Sequence, residues 1–452
     1  MSAVPFDTRR VDAYMDYLAG LEDGQGCVAE RDIYSDFGVL LLPKGSPISP
    51  RTALRLAGHR LQDPVDTVVG LRTPVTTRSL LDDMLELMAS ADDLRQLDQG
   101  SDASALLRHV MLQRELPRTL LQKLAVMASR FPRLYTRSLG GAALSALVAR
   151  QLKWDNQRLQ DVFLAAIARD IGLLHTPTEP PDIDMPLQYS AATLRHGSIA
   201  ARILGLEGRY AERVLQAVAD HHERPDGAGF PTGKHGRQVS ASAWLINSMD
   251  MVWALRDAAG DEAGGLKALR AYLLVNASES EQDPLYALLR LLHLARVYTI
   301  DDAAAVAGAD LQSVAHCAVD RNQTIGRMAE LLKRLAEDLE QRVSDRATTV
   351  LAVVSALLTA LRSSGLGSLE TAASLSAREL SQHFTPQELL DLDLTQTEFI
   401  WRVRRLVRLW PNLREELQGT PAFAALDQHF RELEALVAEV GTDSCRDQSL
   451  NT

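Results

Sequence analysis

The chain has very few cysteines, only Cys27, Cys317 and Cys445 in 452 residues. They are far apart and none makes a CxxC pair, so neither a zinc knuckle nor a disulfide framework is indicated, and a reducing compartment fits best. Aromatic residues are scarce, at 5%, and long stretches carry no proline. With Ala and Leu dominant, that bias favours helices over sheets. Apolar runs are short. The most apolar, Val350 to Leu361, falls well below the roughly 20 residues that cross a bilayer and reads as a buried core helix. The opening MSAVPFDTRR lacks the charged-then-apolar pattern of an export signal, and the expectation is a cytoplasmic protein without a transmembrane segment. Basic charge is also in short supply. The formal net charge of -11 excludes a general binder of nucleic-acid backbones and leaves room for a small anionic ligand at one local site.

What is present is the composition of a soluble globular protein, 46% apolar and 24% charged, long enough for two or three cores. Near the N-terminus, Asp32-Ile33-Tyr34, Phe37 to Leu42 and Lys44-Gly45 alternate short apolar runs with turn residues. They predict a small β element, either an accessory module or a plain packing hairpin. Helical spacing follows from Thr77 to about Leu97 and from Leu116 to Met127. Leu159, Val162, Phe163 and Ile167 fall on one face, which predicts a helix over Asp161 to Arg169 with Asp170 at its C-terminal end. Pro177, Pro180, Pro181 and Pro186 predict a loop. Further helices are expected around His196 to Leu204 and from about Ala211 to His222. Gly260, Gly264 and Gly265 mark a boundary, beyond which Ile325, Met328, Leu332, Leu335 and Leu339 hold a heptad-like spacing. That stripe fits packing within the chain better than a dimer seam.

The sharpest signal is the run HHERPDGAGFP, from His221 and His222 through Glu223, Asp226, Gly227 and Gly229 to Phe230 and Pro231. Adjacent histidines face one metal only where a helix ends, and the Asp-Gly and Gly-Phe-Pro steps supply the turn. Upstream stand Arg169-Asp170-Ile171-Gly172-Leu173 and His196-Gly197, and downstream Met249-Asp250-Met251. Together these closely resemble the signature of the HD-GYP group of the HD superfamily, with Phe230 where that group has tyrosine.

The resemblance implies a helical metal-dependent phosphohydrolase domain over about 120–260. In that family paired divalent metals bridge through a shared aspartate and activate water against a cyclic dinucleotide. Carried over by position, Asp170, His196, His221 and His222 would hold one ion and Asp250 would belong to the metal site. Asp170 and Glu223 would be catalytic. Two family histidines are replaced by Arg137 and Arg169. An arginine stays protonated and has no lone pair to give, so one metal position is expected to be lost, with the arginines either lying against Asp170 and Asp250 or swung out to solvent. Leu173 stands where the family has a phosphate-meeting lysine, and Trp244 where it usually has arginine. His175 and His235 read as ordinary satisfied histidines.

The expected architecture is mainly α: a β-containing module over 1–75, a helical connector over 76–119, a degenerate HD-GYP-type domain over 120–260, a helical bundle over 261–440 and a disordered tail over 441–452. The resemblance implies bacterial signalling through cyclic di-GMP, with one iron or manganese ion and weak or absent hydrolysis. The domain would then be a sensor or a partner-docking element, with the C-terminal helices as the docking part. An active phosphodiesterase with a rearranged metal set and a non-enzymatic helical scaffold are the alternatives.

Overall fold

The computed structural model describes residues 6–21, 26–72, 76–113, 115–176, 193–225, 229–259, 265–277, 282–297, 311–340, 345–363, 366, 386–407, 410, 414, 418 and 423–440. The proline-rich stretch from Pro177 to Pro186, the glycines Gly260 and Gly264, and the segment 441–452 lie outside them. Among the described residues the chain is mainly helical, and its named strands form two two-stranded antiparallel sheets near the N-terminus. No described helix is long and apolar enough to cross a membrane.

Strand Ile33–Tyr34 pairs with Leu40–Leu42 where the sequence predicted a β element. The turn between them places Gly38 at a φ of 76°, a left-handed conformation that glycine adopts without steric cost. The second sheet, Cys27–Ala29 against Val69–Leu71, has no local turn signal because its strands are distant in sequence. The helix expected from Thr77 to about Leu97 is two helices, Thr77–Ser90 and Asp92–Ser101. Ala91 is extended between them, and Asp92 and Asp93 occupy the first turn of the second helix, where carboxylates suit the positive end of the helix dipole.

The chain divides into two compact units. One takes Met1–Glu223, Phe230–Thr232 and Arg237–Ala258, and the other takes the remainder. In the first, helices Pro132–Gln151 and Asn156–Ala168 pack together, and both bury small residues, among them Ala142, Ala146, Ala149, Ala165 and Ala166. Small side chains let the two backbones approach closely, and the Leu, Ile and Phe residues around them contribute about 1.5–3 kcal/mol each by burial. Asp155 caps the second helix by accepting from the Arg158 amide at 2.8 Å, a bond typically worth about 1 kcal/mol. That helix therefore delivers Arg169 and Asp170 from a fixed C-terminal end.

In the second unit, Ile325, Met328, Leu332, Leu335 and Leu339 of helix Leu311–Glu340 are buried with residues of Asp345–Ser363, Pro386–Val407 and Phe423–Val440. The heptad-like stripe is thus used inside the chain. Cys27 is a buried free thiol whose pKa burial pushes up to about 12. Cys317 is disulfide-bonded, although the wide spacing of the cysteines indicated no disulfide framework.

Candidate metal centre

Three helix ends and one turn meet in the first unit. Asp170 follows helix Asn156–Ala168, and His196 opens helix His196–Gly205. Helix Glu212–Ala219 stops before His221 and His222, which stand in the turn beyond it rather than on the helix expected to reach His222. Release from helical geometry lets both adjacent imidazoles point the same way. Gly172 makes the junction possible, because a Cβ there would sit 2.0 Å from the His196 carbonyl oxygen.

All four side chains are buried, and one ligand atom from each lies within 4.8 Å of the others. The Nε2 atoms of His221 and His222 stand 3.1 and 3.2 Å from that of His196. Asp170 Oδ1 is 3.5 Å from His196 Nε2 and 3.7 Å from His221 Nε2. His221 Nδ1 donates to the Val218 carbonyl at 2.7 Å, which leaves its Nε2 as a lone pair aimed into the cluster. Metal–nitrogen bonds of about 2.0–2.1 Å would place neighbouring nitrogens about 3 Å apart, so the spacing fits a shared cation. Burial lowers the His222 pKa well below the usual range, with His221 and His196 adding to the effect, and burial lowers that of His221 too. Both therefore offer lone pairs at neutral pH, as metal binding requires.

The other side of Asp170 is built from arginines. Arg137 donates from Nε and Nη2 to the two oxygens of Asp250, at 2.8 and 2.7 Å. Arg169 is fully buried. Its Nη2 donates to Asp250 Oδ1, its Nη1 to the Ala166 carbonyl at 2.7 Å, and its Nε lies 3.0 Å from Asp170 Oδ2. Gly141 makes room, because a Cβ there would press on the guanidinium at 3.1 Å. Asp250, expected in the metal site, lies outside the four converging ligands. Burial alone would raise both carboxyls. Arg169 and the bonds from His196 and His221 outweigh it at Asp170, and Arg137 and Arg169 outweigh it at Asp250, so both titrate below the usual carboxylate range. Neither arginine swings out to solvent.

Of the signature run, Phe230 packs on this cluster. Phe230 stacks on the His222 ring with centroids 4.4 Å apart, so the aromatic face is used without a hydroxyl. Glu223, expected to be catalytic, accepts at Oε1 from the amide and hydroxyl of Thr232 at 2.7 and 2.6 Å, which ties the two ends of the loop. Gly229 and Pro231 are described, whereas Asp226 and Gly227 lie outside the described residues. Leu173 is buried. Sequence reasoning missed Asn247, whose Nδ2 donates to the His221 carbonyl at 2.9 Å. It stands one helical turn before Asp250, and that i, i+3 spacing on one face was the signal available.

Residues 120–277 match the family model described as the HD domain, roughly a third of the chain. This region is an HD domain. HD domains bind divalent metals, and the His/Asp cluster lies within the matched stretch. Parts of this chain are similar to parts of three curated bacterial proteins. A cyclic di-GMP phosphodiesterase of Pseudomonas aeruginosa is 30% identical over 113 residues, 24% of this chain and 27% of its own length. A 3'3'-cGAMP-specific phosphodiesterase of Vibrio cholerae is 28% identical over 120 residues, 26% of this chain and 27% of its own length. The cyclic di-GMP phosphodiesterase response regulator RpfG of Xanthomonas campestris is 27% identical over 203 residues, 42% of this chain and 53% of its own length. The chain thus spans between about a quarter and a half of the relatives it matches. No solved structure matches it significantly.

Proposed function

We propose that this HD domain is of the HD-GYP type, holds one divalent ion, iron or manganese, on Asp170, His196, His221 and His222, and binds a cyclic dinucleotide of the cyclic di-GMP class with weak or absent hydrolysis. The protein would then act in bacterial signalling as a sensor or partner-docking element, with its C-terminal helices as the docking part. One observation carries this reading: both oxygens of Asp250 are engaged by Arg137 and Arg169. Two donors on Oδ1 and one on Oδ2 take three of the carboxylate's roughly four lone-pair sites, and two guanidinium charges beside it oppose a second cation.

Mixed imidazole and carboxylate donors suit iron or manganese. A bound ion of this kind supplies Lewis acidity and lowers the pKa of a coordinated water. The chain's own residues set the charge. Asp170 and Asp250 are balanced by Arg137 and Arg169, so a divalent ion leaves the buried centre with a surplus of positive charge. That surplus complements a phosphodiester even in a chain whose net charge is -11.

A second reading, an active phosphodiesterase with a rearranged metal set, is favoured by the names of all three relatives. Incubation of the purified chain with manganese and cyclic di-GMP, followed by chromatography for the linear dinucleotide and GMP, separates the two. The expected result is nucleotide retained intact at catalytic protein concentration. Rapid turnover abolished by Asp170→Asn would establish the second reading instead. Metal content indistinguishable from background would leave only a helical scaffold.

A further inference from the structure

The first unit buries a second polar chain that the metal centre does not use. Lys123 on helix Arg118–Arg130 is fully buried. Its ammonium donates to Asp66 Oδ1 at 2.7 Å and to His175 Nε2 at 2.7 Å, and it stands 3.4 Å from the centroid of the Tyr14 ring. His175 Nδ1 is 2.7 Å from Asp12 Oδ2. An ammonium has donors only, so His175 Nε2 must present its lone pair to Lys123 and Nδ1 must carry the proton given to Asp12. Every bond in the chain therefore has a fixed direction. The rings of Phe6 and Tyr14 flank the imidazole at 5.3 and 4.9 Å.

The anchors and the load are on different parts of the unit. Asp12 caps helix Ala13–Ala19 by accepting from the Tyr14 amide. Asp66 stands in the short helix Val65–Val68 that runs into strand Val69–Leu71. Both belong to the β-containing N-terminal segment. His175 ends the 3-10 turn Ile171–His175, which begins at the residue after Asp170. Within that turn the Leu173 amide donates to the Asp170 carbonyl at 2.9 Å and the Thr176 amide to the Leu173 carbonyl at 3.2 Å. Gly172 lies against the His196 backbone. A shift at His175 thus reaches Asp170 through a rigid turn of five residues, and the same turn presses on the next ligand.

Burying a lysine and an aspartate is costly. Burial lowers the Lys123 ammonium below its usual range against the pull of Asp66, while at Asp66 the effect of burial is outweighed by Lys123. An apolar pair of similar volume would fill the space without that cost, so what the polar chain adds is direction. We propose that Asp66, Lys123, His175 and Asp12 form a latch through which the N-terminal segment fixes the turn carrying Asp170, and that all four are positioning residues for the metal centre. The proposal rests on Asp170 being a metal ligand.

The test compares His175→Leu with His175→Gln in the full chain. Leucine keeps apolar volume and loses both bonds, whereas glutamine can accept from Lys123 through its oxygen and donate to Asp12 through its amide. Two readouts are taken: hydrogen exchange at the Leu173 and Thr176 amides without metal, and manganese affinity. The expected result is faster exchange and about 10- to 100-fold weaker manganese binding, the scale of outer-shell losses, for leucine, with glutamine close to wild type on both. Wild-type exchange in the leucine variant, or equal damage in the glutamine variant, overturns the latch. Should His175→Leu not fold, Asp12→Ser replaces it, since serine still caps the Tyr14 amide but is too short to reach His175. Its expected result is the same change in exchange, and unchanged exchange overturns the latch. If the wild-type chain takes up no manganese, the metal reading falls, and the exchange comparison alone still decides the latch.

Discussion

The two sides of Asp170 solve the same electrostatic problem with opposite chemistry. On one side, imidazole lone pairs from His196, His221 and His222 converge with Asp170 Oδ1 on a small volume. On the other, guanidinium donors from Arg137 and Arg169 converge on Asp250, and the Arg169 charge also lies beside Asp170 Oδ2. The first side is short of a cation and the second side contains its own. A buried carboxylate needs a counter-charge, but that charge can be an ion from solution or a side chain of the protein. Only the first choice leaves a Lewis acid behind.

The largest effect that would break this comparison is on stability. Arg169→Ala, measured by urea denaturation without metal, should cost about 3–5 kcal/mol, the scale for leaving a buried charge without its partner. Adding Asp250→Asn should recover much of the loss, because one of the exposed charges is then gone. Identical midpoints for wild type and Arg169→Ala would mean that the arginine is not the counter-charge.

Metal content sharpens the contrast from the other side. His221→Ala should reduce elemental manganese or iron from near one ion per chain to background, a loss of affinity beyond the roughly 10- to 100-fold typical of outer-shell changes. Arg137→His combined with Arg169→His should move the stoichiometry from one towards two. A second ion already present in the wild type would show that Asp250 is free to ligate.

Acidification acts on both sides in the same direction. Asp170 and Asp250 titrate below the usual carboxylate range, so the stability they confer is present at neutral pH and is lost as pH falls through their folded values. His221 and His222 titrate below 6.5, so the unfolded chain takes up protons before the folded one does, and stability begins to fall as pH drops below about 6.5. Denaturation midpoints of the metal-free protein between pH 8 and about 5 should therefore decline with acid. A midpoint that rises towards pH 5 would contradict the neutral, buried histidines. The smallest effect is at the loop. Phe230→Leu should cost about 0.5–1.5 kcal/mol, the scale of an aromatic stack, read from the same urea curves, and a change near zero would mean that the contact with His222 is incidental.

The cluster was legible because its members are chemically marked. Histidines and an aspartate stand at helix ends defined by local spacing, and the HHERPDGAGFP run binds them into one pattern. Arg137 and Arg169 were legible as exceptions to that pattern, and their partner Asp250 followed from charge. What escaped was whatever depends on distance in space. The pairing of Cys27–Ala29 with Val69–Leu71, the bond from Asn247 to the His221 carbonyl and the chain from Asp66 through Lys123 to His175 join residues with no shared local signal. His175 read as an ordinary satisfied histidine, and its hydrogen bonds are indeed satisfied, but single-residue expectations do not say what the satisfaction holds in place.

The quartet of Arg137, Arg169, Asp170 and Asp250 is neutral before any ion arrives. A centre that needs metals to cancel its carboxylates couples its folding to metal supply, so that starvation for iron lowers the amount of native protein. Here the newly made chain can complete its core without waiting for metal delivery. On the proposed reading its abundance would be set by synthesis and turnover, and only the fraction carrying an ion would follow the metal supply.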